Sequence, residues 1–202
     1  MIKLVPARTT PELTATAALF RAYAKSLNID LAPQGFQHEL DALPGPYAPP
    51  GGELLLAKTG DHVLGCIALK PLDPPCAAEI KRLFVRQQAR GLGLGRMLIE
   101  AITQVARERG YGEVKLDTLP QMQAAVALYK ACGFAPIPPY GSHAYPGLAT
   151  LGKKTFVRGA QASRSRPSTA RLRARPRPAK ENGAPSGAPF LQCFRVSACC
   201  RR

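Results

Sequence analysis

The chain has 202 residues, of which 46% are hydrophobic and 20% charged, and its formal net charge is +15. That length allows one domain of ordinary size with some chain to spare. No apolar run approaches the length of a membrane span, and the N-terminus lacks a continuous apolar segment, so we expect a cytoplasmic protein that makes no membrane contact.

The excess positive charge is concentrated at the C-terminus. Residues 158–202 hold eleven Lys and Arg against the single Glu181, and Ala, Arg, Pro, Ser and Gly fill 31 of these 45 positions. Such a composition buries too little apolar surface to offset the entropy lost on ordering. We therefore predict a folded domain over residues 1–157 and a disordered basic tail over 158–202. Nucleic-acid binding through phosphates is one interpretation of the tail; a solvated appendage or a read-through of GC-rich sequence is favoured over it.

The cysteines indicate neither a metal site nor a disulfide framework. No C-x-x-C motif and no paired histidine spacing accompanies them, so no metal is expected. Three fall in apolar contexts, where a reduced cysteine acts as a small hydrophobe. The six positions are Cys66, Cys76, Cys132, Cys193, Cys199 and Cys200.

The N-terminal half predicts two helices followed by three strands. Thr10, Pro11 and Glu12 form a helix-start signal, and an apolar stripe follows on one face. A short second helix is expected over residues 36–43, before the Pro- and Gly-rich loop 44–52. Apolar runs at 53–58 and 63–69, separated by Gly60 and Asp61, predict a hairpin. A strand over 77–85, antiparallel to its predecessor, comes next.

That strand runs into a glycine-rich loop and then a helix. Glycines at alternate positions let the backbone approach a ligand, and the free N–H groups of a first helical turn favour phosphate oxygens. The spacing does not match G-x-G-x-x-G, because Arg96 or Leu98 stands at the third glycine position, and no Gly-Lys-Ser/Thr follows as in a Walker A loop. An apolar stripe from Leu94 to Val105 predicts the helix that follows the loop, with Gly110 just past its C-terminal end. The loop indicates a pyrophosphate-bearing cofactor.

The remaining elements complete an alternating order. A strand is predicted over 114–118, a helix over 121–132, and short strands near 134–137 and 148–156. The full predicted order is α-α-β-β-β-α-β-α-β-β.

Two motifs carry a resemblance to a known family. Residues 90–95, after a strand that ends Leu83-Phe84-Val85, fit Arg/Gln-x-x-Gly-x-Gly/Ala, and this resembles the acetyl-CoA-binding motif of the GNAT N-acetyltransferase superfamily. Residues 125–134 resemble that family's A-x-x-L-Y-x-x-x-G-F helix. The resemblance covers about residues 1–156 and is strongest over 78–134. It implies an α/β fold with a mixed, mostly antiparallel sheet that is flanked by helices and splayed where the cofactor enters.

The resemblance also implies roles for particular residues. The cosubstrate would be acetyl-CoA, with its pantetheine arm along the main chain of the strand, one N–H of which stabilises the oxyanion. Tyr129 maps to the proton donor for the departing thiolate, with a core role as the alternative. Glu79 maps to a general base; the alternative is a glutamate that is ion-paired with Lys81 or simply solvated. Met122 departs from the asparagine usual at its position. The residues expected to bind the cofactor are Leu83, Phe84, Val85, Arg90, Gly91, Leu92, Gly93, Leu94, Gly95 and Arg96.

The acceptor is less constrained by the sequence. The turn 34–36, Tyr47 and the segment 138–140 occupy acceptor-side positions in the family, whereas His38, His62 and His143 are isolated. We expect an N-acetyltransferase acting on a primary amine of a small metabolite such as an amino acid. Two alternatives remain at this point: a protein N-terminus or lysine as acceptor, and a non-catalytic acyl-CoA-binding module with a nucleic-acid-binding tail.

Overall fold

The computed structural model describes residues 1–27, 35–73, 76–140 and 147–155, so the predicted tail lies outside the described residues. Within them the chain forms seven strands and four α-helices. In chain order these are β1 Lys3–Pro6, α1 Thr10–Leu27, α2 Phe36–Asp41, β2 Glu53–Thr59, β3 His62–Pro71, β4 Ala77–Val85, α3 Leu94–Glu108, β5 Glu113–Thr118, α4 Gln123–Ala131, β6 Ala135–Pro136 and β7 Ala149–Lys154.

All seven strands belong to one sheet, in the order β1-β2-β3-β4-β5-β7-β6. Every neighbouring pair is antiparallel except β4 and β5, which run parallel. The helix α3 supplies the crossover that a parallel pair requires. The expected α/β fold with a mixed, mostly antiparallel sheet is therefore confirmed.

The predicted helices and strands are present, with small differences at their ends and one addition. Strand β1 was not predicted, because it has only four residues and no alternating pattern; its pairing with β2, from Lys3 opposite Lys58 onward, makes it a strand. Helix α2 ends at Asp41 rather than at Leu43, since a residue that precedes proline avoids the helical region. Helix α4 begins at Gln123, two residues later than expected.

The start of α1 follows the sequence signal closely. The Glu12 carboxylate accepts hydrogen bonds from the N–H groups of Arg8 and Thr9, at 2.9 and 3.0 Å, and from the Thr9 hydroxyl at 3.0 Å. These bonds lower the pKa of Glu12 to about 2. A Thr with a Glu three residues later is the capping-box pattern, which satisfies otherwise unpaired N–H groups at a helix start.

Each face of the sheet has its own apolar core. On one face α3 packs through Leu98, Ile99 and Ile102 against strand residues that include Ile67 and Ile80. On the opposite face Leu19 and Phe20 of α1 pack against Leu54, Leu56 and Cys66. The two faces alternate along the strands, as the pleat requires.

None of the described helices has the length and apolar character needed to cross a membrane.

Gly65 of β3 lies opposite Val85 of β4. A Cβ at this position would stand 2.7 Å from the backbone carbonyl oxygen of Phe84, which cannot rotate away. We expect Gly65→Ala to lower the free energy of unfolding by about 1–3 kcal/mol, because the two strands must move apart. Urea denaturation of both proteins measures this.

Gly51→Ala is the matched control, because its added Cβ would meet its nearest neighbours at an ordinary 3.4 Å. Equal stability losses in the two variants would contradict the steric account of Gly65.

Candidate active site

Strand β4 contains one more residue than the stretch of β3 it faces. Ala68 pairs with Lys81 and Cys66 pairs with Phe84, so two steps along β3 correspond to three along β4. Arg82 lies in this bulge with a φ of 58°, a left-handed conformation in a residue that has a Cβ. Bulges of this kind bend a strand and redirect its side chains.

On its other side β4 separates from β5. The parallel register covers only Ala77 to Glu79 of β4, opposite Glu113 to Lys115. Beyond Glu79 the main chain of β4 therefore has no paired residue on the β5 side. The bulge and the end of pairing together open a split in the middle of the sheet, which is the splay that the sequence predicts.

The guanidinium of Arg82 fixes the bulge against α1 and α2. Its Nε donates to Glu39 Oε1 at 3.0 Å, and a second nitrogen pairs with Glu39 Oε2. The Tyr47 hydroxyl donates to the same carboxylate at 2.6 Å. The guanidinium carbon also lies 5.1 Å from the ring centroid of Phe36 and 5.9 Å from that of Tyr23, within cation–π range. Tyr47, expected on the acceptor side, thus belongs to this buried cluster.

The three glycines before and within α3 have two different functions. Gly91 and Gly93 have φ values of 80° and 74°, and open space surrounds the position of a Cβ at each. Gly93 is the N-cap of α3. At Gly95 a Cβ would stand 2.9 Å from a methyl group of Leu128. The first two glycines therefore shape the loop, whereas the third allows α3 to pack closely on α4.

A cavity of about 650 Å³ joins the glycine loop to the split. Nine of the ten residues expected to bind the cofactor line it; the tenth, Leu92, points outward and is 62% exposed. Tyr23 and Ser26 of α1, which the sequence did not single out, complete the wall together with Met122, the position that departs from the family's asparagine. The predicted lining residues are Leu83, Phe84, Val85, Arg90, Gly91, Gly93, Leu94, Gly95 and Arg96.

Tyr129 lies on the cavity-lining helix α4 but does not itself line the cavity. It is 7% exposed, and its ring meets that of Phe134 edge-on at 5.9 Å. Burial raises the pKa of its hydroxyl, and the neighbouring Tyr23 adds to the effect. Tyr129 is therefore a protonated phenol close to the cavity wall.

Glu79 lies at the closed end of the split and is ion-paired. Its carboxylate contacts the ammonium groups of Lys81 at 2.8 Å and of Lys70 at 3.1 Å, and accepts a hydrogen bond from the Tyr140 hydroxyl at 3.1 Å. Burial raises the pKa of Glu79, but the two lysines outweigh it, and the net pKa is lowered. Asp117 of β5 stands nearby, 3.8 Å from the Lys81 nitrogen.

The other residues that the sequence named lie outside this arrangement. His38 and His62 are exposed, and His143 and Gln34 are outside the described residues. Cys66 is fully buried, and burial raises the pKa of its thiol to about 12, as expected of a reduced core cysteine. No group of potential metal ligands occurs among the described residues.

Comparisons with known proteins identify the family and agree with the fold. Residues 18–134 match the model of the acetyltransferase (GNAT) family. An uncharacterized N-acetyltransferase of Schizosaccharomyces pombe is 37% identical over 135 residues, which cover 66% of this chain and 82% of that protein. An IAA acetyltransferase of Azospirillum brasilense is 32% identical over 148 residues, 73% of this chain and 95% of that one.

Solved structures show the same architecture. A GNAT-family acetyltransferase of Staphylococcus aureus superposes with a TM-score of 0.66 at 20% identity, over 77% of this chain and all of that chain. The PaiA N-acetyltransferase of Thermoplasma acidophilum, solved in complex with coenzyme A, superposes with a TM-score of 0.61 at 16% identity. The match covers 76% of this chain and 99% of that chain.

Removal of the carboxylate that holds Arg82 should destabilise the protein strongly. Glu39→Ala leaves a buried guanidinium without its counter-ion, and we expect a loss of about 3–5 kcal/mol in the free energy of unfolding. Asp41→Ala, an exposed acidic position at the end of the same helix, is the control. Equal melting temperatures for the two variants would show that the ion pair between Arg82 and Glu39 does not stabilise the protein.

Proposed function

Because this chain belongs to the acetyltransferase (GNAT) family, and is therefore an acyl-CoA-dependent N-acetyltransferase, we propose that it acetylates the primary amine of a small metabolite such as an amino acid. The observation that carries the proposal is the cavity that runs from the glycine loop to the split between β4 and β5. Acetyl-CoA, the cosubstrate used by this family, supplies the acetyl group as a thioester.

The end of the cavity at the glycine loop suits a pyrophosphate. The first-turn N–H groups of α3 have no acceptors within the helix, and the helix dipole favours an anion at this end. Gly91 and Gly93 keep the approach to these groups free of side chains. Arg90 and Arg96 line the same end and carry positive charge. No metal ion is required for this binding.

The strand end of the cavity suits the acyl group. Residues 83–85 line the cavity on the side where β4 lacks a partner strand, so their main-chain groups are available to the pantetheine arm and to the oxyanion. The acceptor nitrogen bonds to the carbonyl carbon and loses a proton. The sulfur leaves with the electron pair of the C–S bond and takes up a proton, for which we propose Tyr129 as the donor.

The contacts of Glu79 support the ion-paired alternative more than the catalytic base. Both of its carboxylate oxygens contact lysines, and its lowered pKa makes it a weak proton acceptor. We propose that Glu79 holds Lys81 and Tyr140 in place, and that acceptor deprotonation does not require Glu79 itself.

The residues after 157 take no part in this scheme, and we propose that they are dispensable for turnover.

A small acceptor is supported by the relative from Azospirillum brasilense, which is named for acetylation of IAA rather than of a protein. Thiol release from acetyl-CoA in the presence of a panel of amino acids, amines and peptides tests the proposal directly. Release with peptides alone would favour the protein-acceptor alternative. Binding of acetyl-CoA without release by any amine would favour a non-catalytic module.

We expect Gly93→Val to weaken acetyl-CoA binding severely, because a branched side chain at the α3 N-cap blocks the N–H groups and strains a φ of 74°. Calorimetry with acetyl-CoA measures this. Gly110→Val is the control, because Gly110 has a φ of 83° and open space at the other end of the same helix. If the two variants bind acetyl-CoA equally well, the loop does not hold the pyrophosphate.

We expect Tyr129→Phe to lower kcat by about 10²–10⁴-fold with little change in acetyl-CoA affinity, because it removes only the hydroxyl and keeps the ring against Phe134. Steady-state kinetics in an assay limited by chemistry, with calorimetry alongside, separate the two quantities. Unchanged turnover would assign Tyr129 a packing role.

A further inference from the structure

A cluster of charged side chains lies at the closed end of the split, on the sheet face opposite α3. Glu79 and Lys81 of β4 alternate with the core residues Ala78 and Ile80, which face α3. Lys115 and Asp117 of β5 alternate with core residues in the same way. The four side chains therefore lie on the face opposite α3, the face on which α1 and α2 pack. Farther along β4 lie residues 83–85, which line the proposed acetyl-CoA cavity.

Asp117 differs from the other charged groups in this cluster. Its Oδ1 is buried and accepts no hydrogen bond from any described residue, and its Oδ2 is 3.8 Å from the Lys81 nitrogen. Burial raises the pKa of Asp117, and Lys81 offsets this only in part. A buried carboxylate oxygen without a donor is costly, and an ammonium group is the donor that suits it best.

Tyr140 borders both carboxylates. Its hydroxyl donates to Glu79 at 3.1 Å and lies close enough to Asp117 to affect the pKa of that residue. The Lys115 ammonium is 5.2 Å from the centroid of the Tyr140 ring. The Tyr140 side chain therefore lies beside both carboxylates of this cluster.

We propose that Asp117 Oδ1 binds the ammonium group of the acceptor, and that the lysines beside it select acceptors that carry a carboxylate near the amine. This inference rests on the proposed function and specifies its substrate class. It assigns amine recognition to a residue of β5, next to the split into which the acyl group is delivered.

The charge balance of the cluster supports a zwitterionic acceptor. Lys70, Lys81 and Lys115 outnumber Glu79 and Asp117, and their side chains are 24–31% exposed. The nearby Glu113 contacts Lys154 at 3.1 Å and Lys115 at 3.5 Å, so that with this pair included four lysines face three carboxylates. A polyamine would add two or more positive charges to a site that already has an excess, whereas an α-amino acid adds an ammonium and a carboxylate together. Like-charge repulsion thus disfavours polyamines, and the lysines can pair with the carboxylate.

The test compares matched acceptors at saturating acetyl-CoA. The best amino acid from a panel of the twenty is compared with its methyl ester, with its decarboxylated amine and with spermidine. We expect kcat/KM to be highest for the amino acid and lowest for spermidine. Asp117→Asn should lower kcat/KM for the amino acid by about ten- to a hundredfold or more, the effect of losing a charged hydrogen bond, while acetyl-CoA affinity is retained.

Lys81→Met should reduce the preference for the amino acid over its decarboxylated amine, because it removes a partner of the carboxylate. Asp61→Asn and Lys130→Met, which remove the same charges at exposed positions, are the controls. A preference for spermidine or for the decarboxylated amine, or an Asp117→Asn enzyme as active as the wild type, would overturn the inference and leave the proposed function intact. Acetyl-CoA binding with no acetylation of any amine would instead overturn the proposed function, and the inference with it.

Discussion

The organisation of this protein depends on the extra residue that β4 carries at Arg82. Because the bulge bends β4 just after its last paired residue with β5, the sheet opens in the middle instead of continuing as a flat ladder. A left-handed backbone in a residue with a side chain is unfavourable in isolation. It persists here because Arg82 is buried and held by Glu39 and by two aromatic rings.

Both ends of the proposed active site follow from this opening. At one end the cavity reaches the start of α3, where unpaired N–H groups and arginines suit an anion. At the other end, where β4 and β5 are still paired, Glu79 and Asp117 share one face with several lysines. The two substrates proposed for the enzyme would therefore meet at the split, one reaching it from the helix start and the other from the charged face. Tyr23 connects the cavity with the bulge, since it lines the cavity and packs against Arg82.

Much of the fold and of the cavity lining was predictable because their signals are local. The capping pattern at Glu12, the apolar stripe of α3 and the glycine loop each depend on residues close together in the chain. Nine of the ten residues predicted from this local pattern line one cavity. Local signals did not predict β1, whose four residues become a strand through pairing with β2. They also did not distinguish Gly95, which allows α3 to pack on α4, from the loop glycines Gly91 and Gly93.

The sequence by itself determined the order of elements from α1 onward, the glycine loop before α3 and the family, since these depend on spacing within single segments. Tertiary structure decided the environment of each ionisable group. Glu79 became a carboxylate paired with two lysines because β3 brings Lys70 beside it, whereas Asp117 lies 3.8 Å from Lys81 and keeps its Oδ1 without a donor among the described residues. A pKa depends on burial and on charges within a few ångströms, and those distances exist only once distant strands are brought side by side.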